Sequence, residues 1–214
     1  GIRLHDFSFN EGADVYIQNN TIFNNNKEFP GNLATPPSNY DLNVRVQPQR
    51  LHVINNVLYN TDDISLMSFK ESLAGKDFVT SNNCFYREVD PAGSIIDHNG
   101  LSYNLGNWQN TGNGSGSLYV DPQFMSLAIN DVRLKNTSTC VDGGINVGVL
   151  EDFLGTSRPL GSQFDIGAYE TAGVSVGSDK TVRVGKGNYP NLVVNKSNGD
   201  IHLAYGVDAG LQYV

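Results

Sequence analysis

The stretch LHVINNVLYN, Leu51 to Asn60, sets two runs rich in β-branched, leucine and aromatic residues on either side of an asparagine pair. Asparagine is depleted in strands and tolerates left-handed backbone angles, so Asn55-Asn56 marks a bend between two strands. The arrangement recurs in VYIQNNTIFNNN from Val15 and in FVTSNNCFYR from Phe78. Asn19-Asn20, Asn55-Asn56 and Asn82-Asn83 thus fall in register, 36 and then 27 residues apart. By strand alternation Val15/Leu51/Phe78 and Ile17/Val53/Thr80 face inward before the bend, and Ile22/Leu58/Phe85 after it. Tyr16/His52/Val79, Gln18/Ile54/Ser81 and Phe23/Tyr59/Tyr86 face outward. A strand-turn-strand unit repeated at this period predicts a β-solenoid whose rungs stack about 4.8 Å apart. Asn20, Asn56 and Asn83 then form a structural ladder of side-chain amides at the turn.

The wider composition agrees with an all-β fold. Across 214 residues there are 26 Asn, 23 Gly, 10 Tyr and 10 Phe but only 17% charged residues, an alphabet of turns and strands. The formal net charge is −8, without a basic cluster, which excludes duplex nucleic acid as a partner. No apolar run is long enough for a membrane span. The chain opens on Gly1-Ile2-Arg3, already strand-like, and is expected to be a segment of a longer protein with further parts before Gly1 and after Val214. Cys84 and Cys140 stand at no metal-binding spacing; they read as two unpaired buried thiols, with a disulfide as the alternative.

Between the Asn units lie excursions, which in a solenoid map to loops. Lys27 to Gln49 holds four of the eight prolines and reads as an ordered excursion rather than a rung strand. Thr61 to Lys76 predicts a short helix, with Asp63 as N-cap and Gly75 just past its end. Arg87 to Ser117 ends in a Gly/Asn/Ser run expected to be a mobile surface loop.

From Asp121 onward five motifs follow in order: DPQF (Asp121 to Phe124), DVRL (Asp131 to Leu134), STCVDGG (Ser138 to Gly144), DFLGTSRP (Asp152 to Pro159) and DIGAYE (Asp165 to Glu170). This series resembles the close of secreted bacterial right-handed parallel β-helix proteins, the pectate-lyase-like superfamily with its polysaccharide lyase relatives. The resemblance implies a right-handed parallel β-helix over residues 1–172, its open end covered by these motifs as a C-terminal cap. Asp142, Arg158, Asp165 and Glu170 read as pins for the cap loops, or else as a catalytic cluster. Residues 173–214 form a linker and the start of a second β domain. YPNLVVNKSNGDIHLAYGVDAGLQYV is similar to one blade of a sialidase-like propeller, with a sandwich-like domain as the alternative.

The resemblance also implies a function: a secreted or cell-surface bacterial protein whose partner is a polysaccharide or cell-surface glycan, acted on by β-elimination. Such lyases need a base, a cation or calcium ion to neutralise the uronate carboxylate, and an acid for the leaving oxygen. The outward face offers Arg87 and His52, and the flanking excursion Lys70, as catalytic candidates, with outward Tyr16, Tyr59, Tyr86 and Trp108 as sugar-stacking aromatics. Asp62 and Asp63 supply oxygens for calcium, or a turn and a helix cap. Two other functions stay open: a non-catalytic adhesin or filament protein with the solenoid as spacer, and a glycoside hydrolase of the same fold. The hydrolase would need paired carboxylates about 5 to 10 Å apart. The outward positions aligned above supply none.

Overall fold

The computed structural model describes residues 2–4, 14–24, 40–45, 48–69, 72–90, 93–173, 188–194, 201–207 and 210–213. The chain divides into two compact units, Gly1–Ser175 and Val176–Val214. In the first, strands come in threes. The first set is β1 (Ile2–Leu4), β2 (Asp14–Gln18) and β3 (Thr21–Phe23); the second is β4 (Tyr40–Val44), β5 (Arg50–Ile54) and β6 (Val57–Asn60). The third set is β7 (Ser65–Phe69), β8 (Asp77–Ser81) and β9 (Cys84–Arg87), and β10 (Ile96–His98) begins a fourth. First members pair with first members, second with second, third with third, always in parallel. The chain therefore visits three stacked parallel sheets in one repeating cyclic order. Ile17, Val53 and Thr80 are Cα partners along the second sheet, and Ile22, Leu58 and Phe85 are partners along the third.

The bends between second and third sheets follow from the asparagines. Asn19, Asn55 and Asn82 hold φ of 52°, 58° and 48°, a left-handed conformation that asparagine tolerates better than most residues. The second member of each pair turns its amide inward. Asn56 Oδ1 accepts the backbone N–H and the side-chain amide of Asn20 at 3.0 and 2.9 Å, and Asn83 Oδ1 accepts the same two groups of Asn56 at 2.9 and 3.0 Å. Asn83 N–H then donates to Ser117 Oγ at 3.0 Å. A fourth bend thus exists without asparagine. Gly116, at φ 68°, takes the left-handed place, Ser117 takes the ladder place, and β12 (Leu118–Tyr119) joins the third sheet beside β9. The Gly/Asn/Ser run, expected to be a surface loop, is built into this corner at Ser115 to Ser117.

Two other expectations are corrected. Thr61 to Lys76 contains β7 rather than a helix, because Ser65–Phe69 pairs with β4 on one side and with β10 on the other, and sheet neighbours override the cap-like Asp63 and Gly75. Likewise Tyr40–Val44, inside the proline-rich excursion, is a strand of the first sheet; residues 27–39 lie outside the described residues.

Inside the three sheets lies one apolar cluster that includes Leu42, Leu51, Val53, Leu58, Phe69 and Phe85. Past the third circuit the chain forms β11 (Leu101–Tyr103), antiparallel to β10, and α1 (Leu105–Asn110), capped by the Asn104 side chain on Asn107 N–H. This helix carries Trp108 into the interior, parallel to Phe69 at 6.2 Å and 5.4 Å from Tyr103. Its Nε1 donates to Thr80 Oγ1 at 2.9 Å.

A second apolar cluster covers the outer side of the third sheet. β13 (Phe124–Ser126) and β14 (Asp131–Leu134) form an antiparallel pair, and Phe124, Leu134, Cys140 and Ile166 pack on Val57, Tyr59 and Cys84. The motif block expected to cover an open end instead lies along this outer face. Its backbone also follows the corner: Asn55 exchanges bonds with Ile145 at 2.7 and 3.1 Å, Asn82 Nδ2 donates to Gly143 O, and Ala168 N–H donates to Thr21 Oγ1.

The second unit contains β15 (Asn188–Val194), β16 (Ile201–Val207) and β17 (Gly210–Tyr213), a three-stranded antiparallel sheet. The turn signal Asn198-Gly199-Asp200 lies outside the described residues.

Candidate functional site

The second sheet has one face toward the core and one toward solvent. Along its outer face two rows cross the strands: Asp14, Arg50 and Asp77 are mutual partners, as are Tyr16, His52 and Val79. Arg50 Nη1 meets Asp14 Oδ2 at 2.6 Å and its Nε meets Asp77 Oδ2 at 2.6 Å. The same Nη1 donates to Tyr16 Oη at 3.0 Å, while His52 Nε2 lies 3.1 Å from Asp77 Oδ1. Tyr16 stands edge-on to the imidazole, ring centroids 5.5 Å apart, and is 52% exposed.

Each contact constrains chemistry. Asp77 receives Arg50 and His52, which hold its carboxyl below the usual range, so it stays an acceptor. An ionised carboxylate facing Nε2 favours the tautomer with hydrogen there, leaving Nδ1 as a proton acceptor. Tyr16 Oη accepts from a guanidinium, which leaves its own O–H to donate elsewhere. Among the described residues Arg50 Nη2 makes no hydrogen bond, so one edge of the guanidinium remains for an incoming anion. An imidazole, a phenol and a guanidinium paired with two carboxylates therefore share one face. His52 and Tyr16 were expected there. Arg50 and Asp77 were not, because they sit at the first position of their strands, one residue before the aligned apolar sets. The outer positions do hold two carboxylates, but Asp14 and Asp77 are both tied to Arg50.

The other sequence candidates are placed differently. Arg87, 2% exposed, gives hydrogen bonds to the carbonyls of Ile64, Asp90 and Ser94 and ion pairs to Asp63 and Asp90 at 3.0 and 3.5 Å. It ties the β9 end to two loops. Lys70 lies outside the described residues. Asp62 and Asp63 do not cap a helix: Asp62 N–H donates to Asn60 Oδ1 in a turn, and Asp63 faces Arg87. Among the described residues no three His, Cys, Asp or Glu side chains converge as a metal site. Trp108 is wholly buried, not outward, since the interior beyond β7 and β8 offers an apolar pocket and a hydroxyl partner.

Tyr59 and Tyr86 do lie on the outer side of the third sheet, in a row with Phe23 at centroid spacings of 5.3 and 5.5 Å. Tyr59 is buried beneath Phe124 and donates to Glu88; burial and that bond push its phenol well up. Tyr86 stays half-buried at a cleft of about 560 Å³, shared with Glu88, Asp121 and Lys135.

In the motif block the charged groups serve the backbone. Arg158 and Glu170 form a fully buried pair at 2.5 Å; Arg158 also donates to Gly167 O, and Glu170 accepts Leu160 and Asp165 N–H. Asp165 accepts Asp142 and Thr171 N–H at 2.8 and 2.6 Å, and Asp142 accepts Gln163 N–H. Burial opposes the charge of Asp152, yet N–H groups of Glu170, Thr156 and Leu154 outweigh it and hold that carboxyl low. This geometry is that of loop pins.

Against known proteins, no family model, no curated protein and no solved structure matches the chain.

Proposed function

We propose that the protein is a secreted or cell-surface right-handed parallel β-helix of the pectate-lyase-like kind, acting on an acidic polysaccharide by β-elimination. The repeating three-sheet path and the asparagine corners support the fold reading. The observation that carries the activity is the group Tyr16, Arg50 and His52 on adjacent strands of one exposed face, with Asp77 orienting the imidazole. In this reading the polymer lies across the second sheet, and Arg50 Nη2 binds the uronate carboxylate. His52 Nδ1 removes the proton beside that carboxylate. Tyr16 protonates the departing glycosidic oxygen as the carbon–oxygen bond breaks and a carbon–carbon double bond forms. The antiparallel sheet of the second unit is read as a propeller-like blade that contributes glycan contacts.

The test is incubation with alginate, pectate, chondroitin and ulvan, with and without a calcium chelator, followed by ultraviolet absorbance of unsaturated uronates. Product that disappears in His52→Ala and Tyr16→Phe supports the proposal. Flat traces across the panel overturn it, and glycan binding retained without product transfers the protein to the adhesin reading.

A further inference from the structure

Cys84 and Cys140 are 56 residues apart in the chain, yet both are wholly buried members of the same apolar cluster. Cys84 projects from the outer side of β9, between its sheet partners Val57 and Leu118. Cys140 reaches the same place from the motif block. Its backbone carbonyl accepts Ile166 N–H at 2.9 Å, and the following residue, Gly167, lies against Val57. Both are free thiols in this structure, packed in one cluster in which Val57 touches the surroundings of each. Among the described residues the one hydrogen-bond partner of either sulfur is the Val120 carbonyl, 3.5 Å from Cys84 Sγ.

We infer that Cys84 and Cys140 are joined by a disulfide, made when the motif block docks on the third sheet, with a disulfide compound or a disulfide-carrying oxidoreductase as oxidant. One cysteine, as thiolate, attacks the oxidant's disulfide; that bond breaks, and one oxidant thiol leaves with the proton. The second cysteine then attacks the protein sulfur of the mixed disulfide, and the other oxidant thiol leaves. Two electrons pass from the cysteine sulfurs to the oxidant, and two protons follow. In the docked state both sulfurs are shielded, and the neighbouring thiol together with burial pushes the Cys84 thiol up, which disfavours the reactive thiolate. The exchange therefore belongs to folding. The bond would close a loop of some fifty residues and tether the block that covers Tyr59. It rests on the packing of the two cysteines and is independent of the catalytic proposal.

The protein is unfolded and refolded in a buffer of reduced and oxidised glutathione. It is then digested without reductant for mass spectrometry, and its thiols are counted in denaturant. The expected result is a linked peptide pair containing Cys84 and Cys140, no free thiol, and a melting temperature lowered by about 10 °C when reductant is present. Cys84→Ser and Cys140→Ser should each remove that sensitivity to reductant. Two free thiols in protein refolded to native circular dichroism, or cysteines linked only between chains, overturn the inference, and this readout needs no variant to fold.

Discussion

Asn56 gives Asn83 Oδ1 two hydrogen bonds, one from its backbone N–H at 2.9 Å and one from its side chain at 3.0 Å, inside a corner from which water is excluded. Its own Oδ1 serves Asn20 in the same way. Asn56→Ala should therefore strand several buried groups at once. At roughly 1–3 kcal/mol for each buried group left unpaired, a loss of about 4 kcal/mol is expected. Asn20→Ala, at the half-buried end of the ladder, should lose about 1 kcal/mol. Chemical denaturation of the two variants measures the difference, and equal losses would show that the ladder does not stabilise the corner.

Gly116 gives a second comparison. At φ 68° a side chain is strained, and an added Cβ would stand 2.8 Å from Asn82 Nδ2. Gly112 has φ 87° but nothing within 4 Å of the same added atom. Gly112→Ala should cost about 1 kcal/mol, from backbone strain alone, and Gly116→Ala about 2–3 kcal/mol. Thermal melts of the pair separate strain from collision.

Burial pushes the Asp165 carboxyl up to about 6, against two backbone N–H groups that pull it down. The folded state thus holds this proton more tightly than the unfolded chain, whose Asp titrates near 4. The contribution to stability is complete below about pH 4 and is lost as pH rises through about 6. Asp165→Asn should flatten that part of the stability curve. Denaturant midpoints of wild type and variant at pH 4, 5, 6 and 7 check the sign, and a wild-type midpoint rising across the window at the same rate as the variant's would contradict it.

Asp77 makes a functional prediction. Asp77→Asn keeps the shape but removes the ionised acceptor that orients His52 and pairs with Arg50 Nε. On the polymer that yields product, kcat should fall about 10- to 100-fold while KM moves less than threefold. A change confined to KM would place Asp77 in binding instead.

What could be read from the residues alone follows from how many requirements each position meets. The asparagine bends were legible because one residue type satisfies both the left-handed angle and the amide ladder, which fixes register to the residue. The inward sets followed from alternation. The fourth corner carries no asparagine signal because Gly116 and Ser117 meet the same two needs with different chemistry, a missing Cβ and a hydroxyl. Arg50 and Asp77 lie outside the repeat for a positional reason: they begin their strands, where the apolar alternation has not yet started. The helix expected at Thr61 to Lys76 shows the opposite failure. Local cap signals were present, but pairing with β4 and β10 decided the outcome. Trp108 was read as an outward aromatic because no short-range pattern reports which side of α1 meets the core.

The bond from Ala168 N–H to Thr21 Oγ1 spans 147 residues. At about 5–20 residues per second, a ribosome takes roughly 7 to 30 seconds to make the chain between them. Within that interval, from the synthesis of Tyr86 until Ile166 is made, the row Phe23, Tyr59 and Tyr86 lacks the full cover that Phe124, Cys140 and Ile166 later provide. The nascent chain therefore carries a temporary apolar stripe, and its most hazardous moment comes before the last motif has been translated.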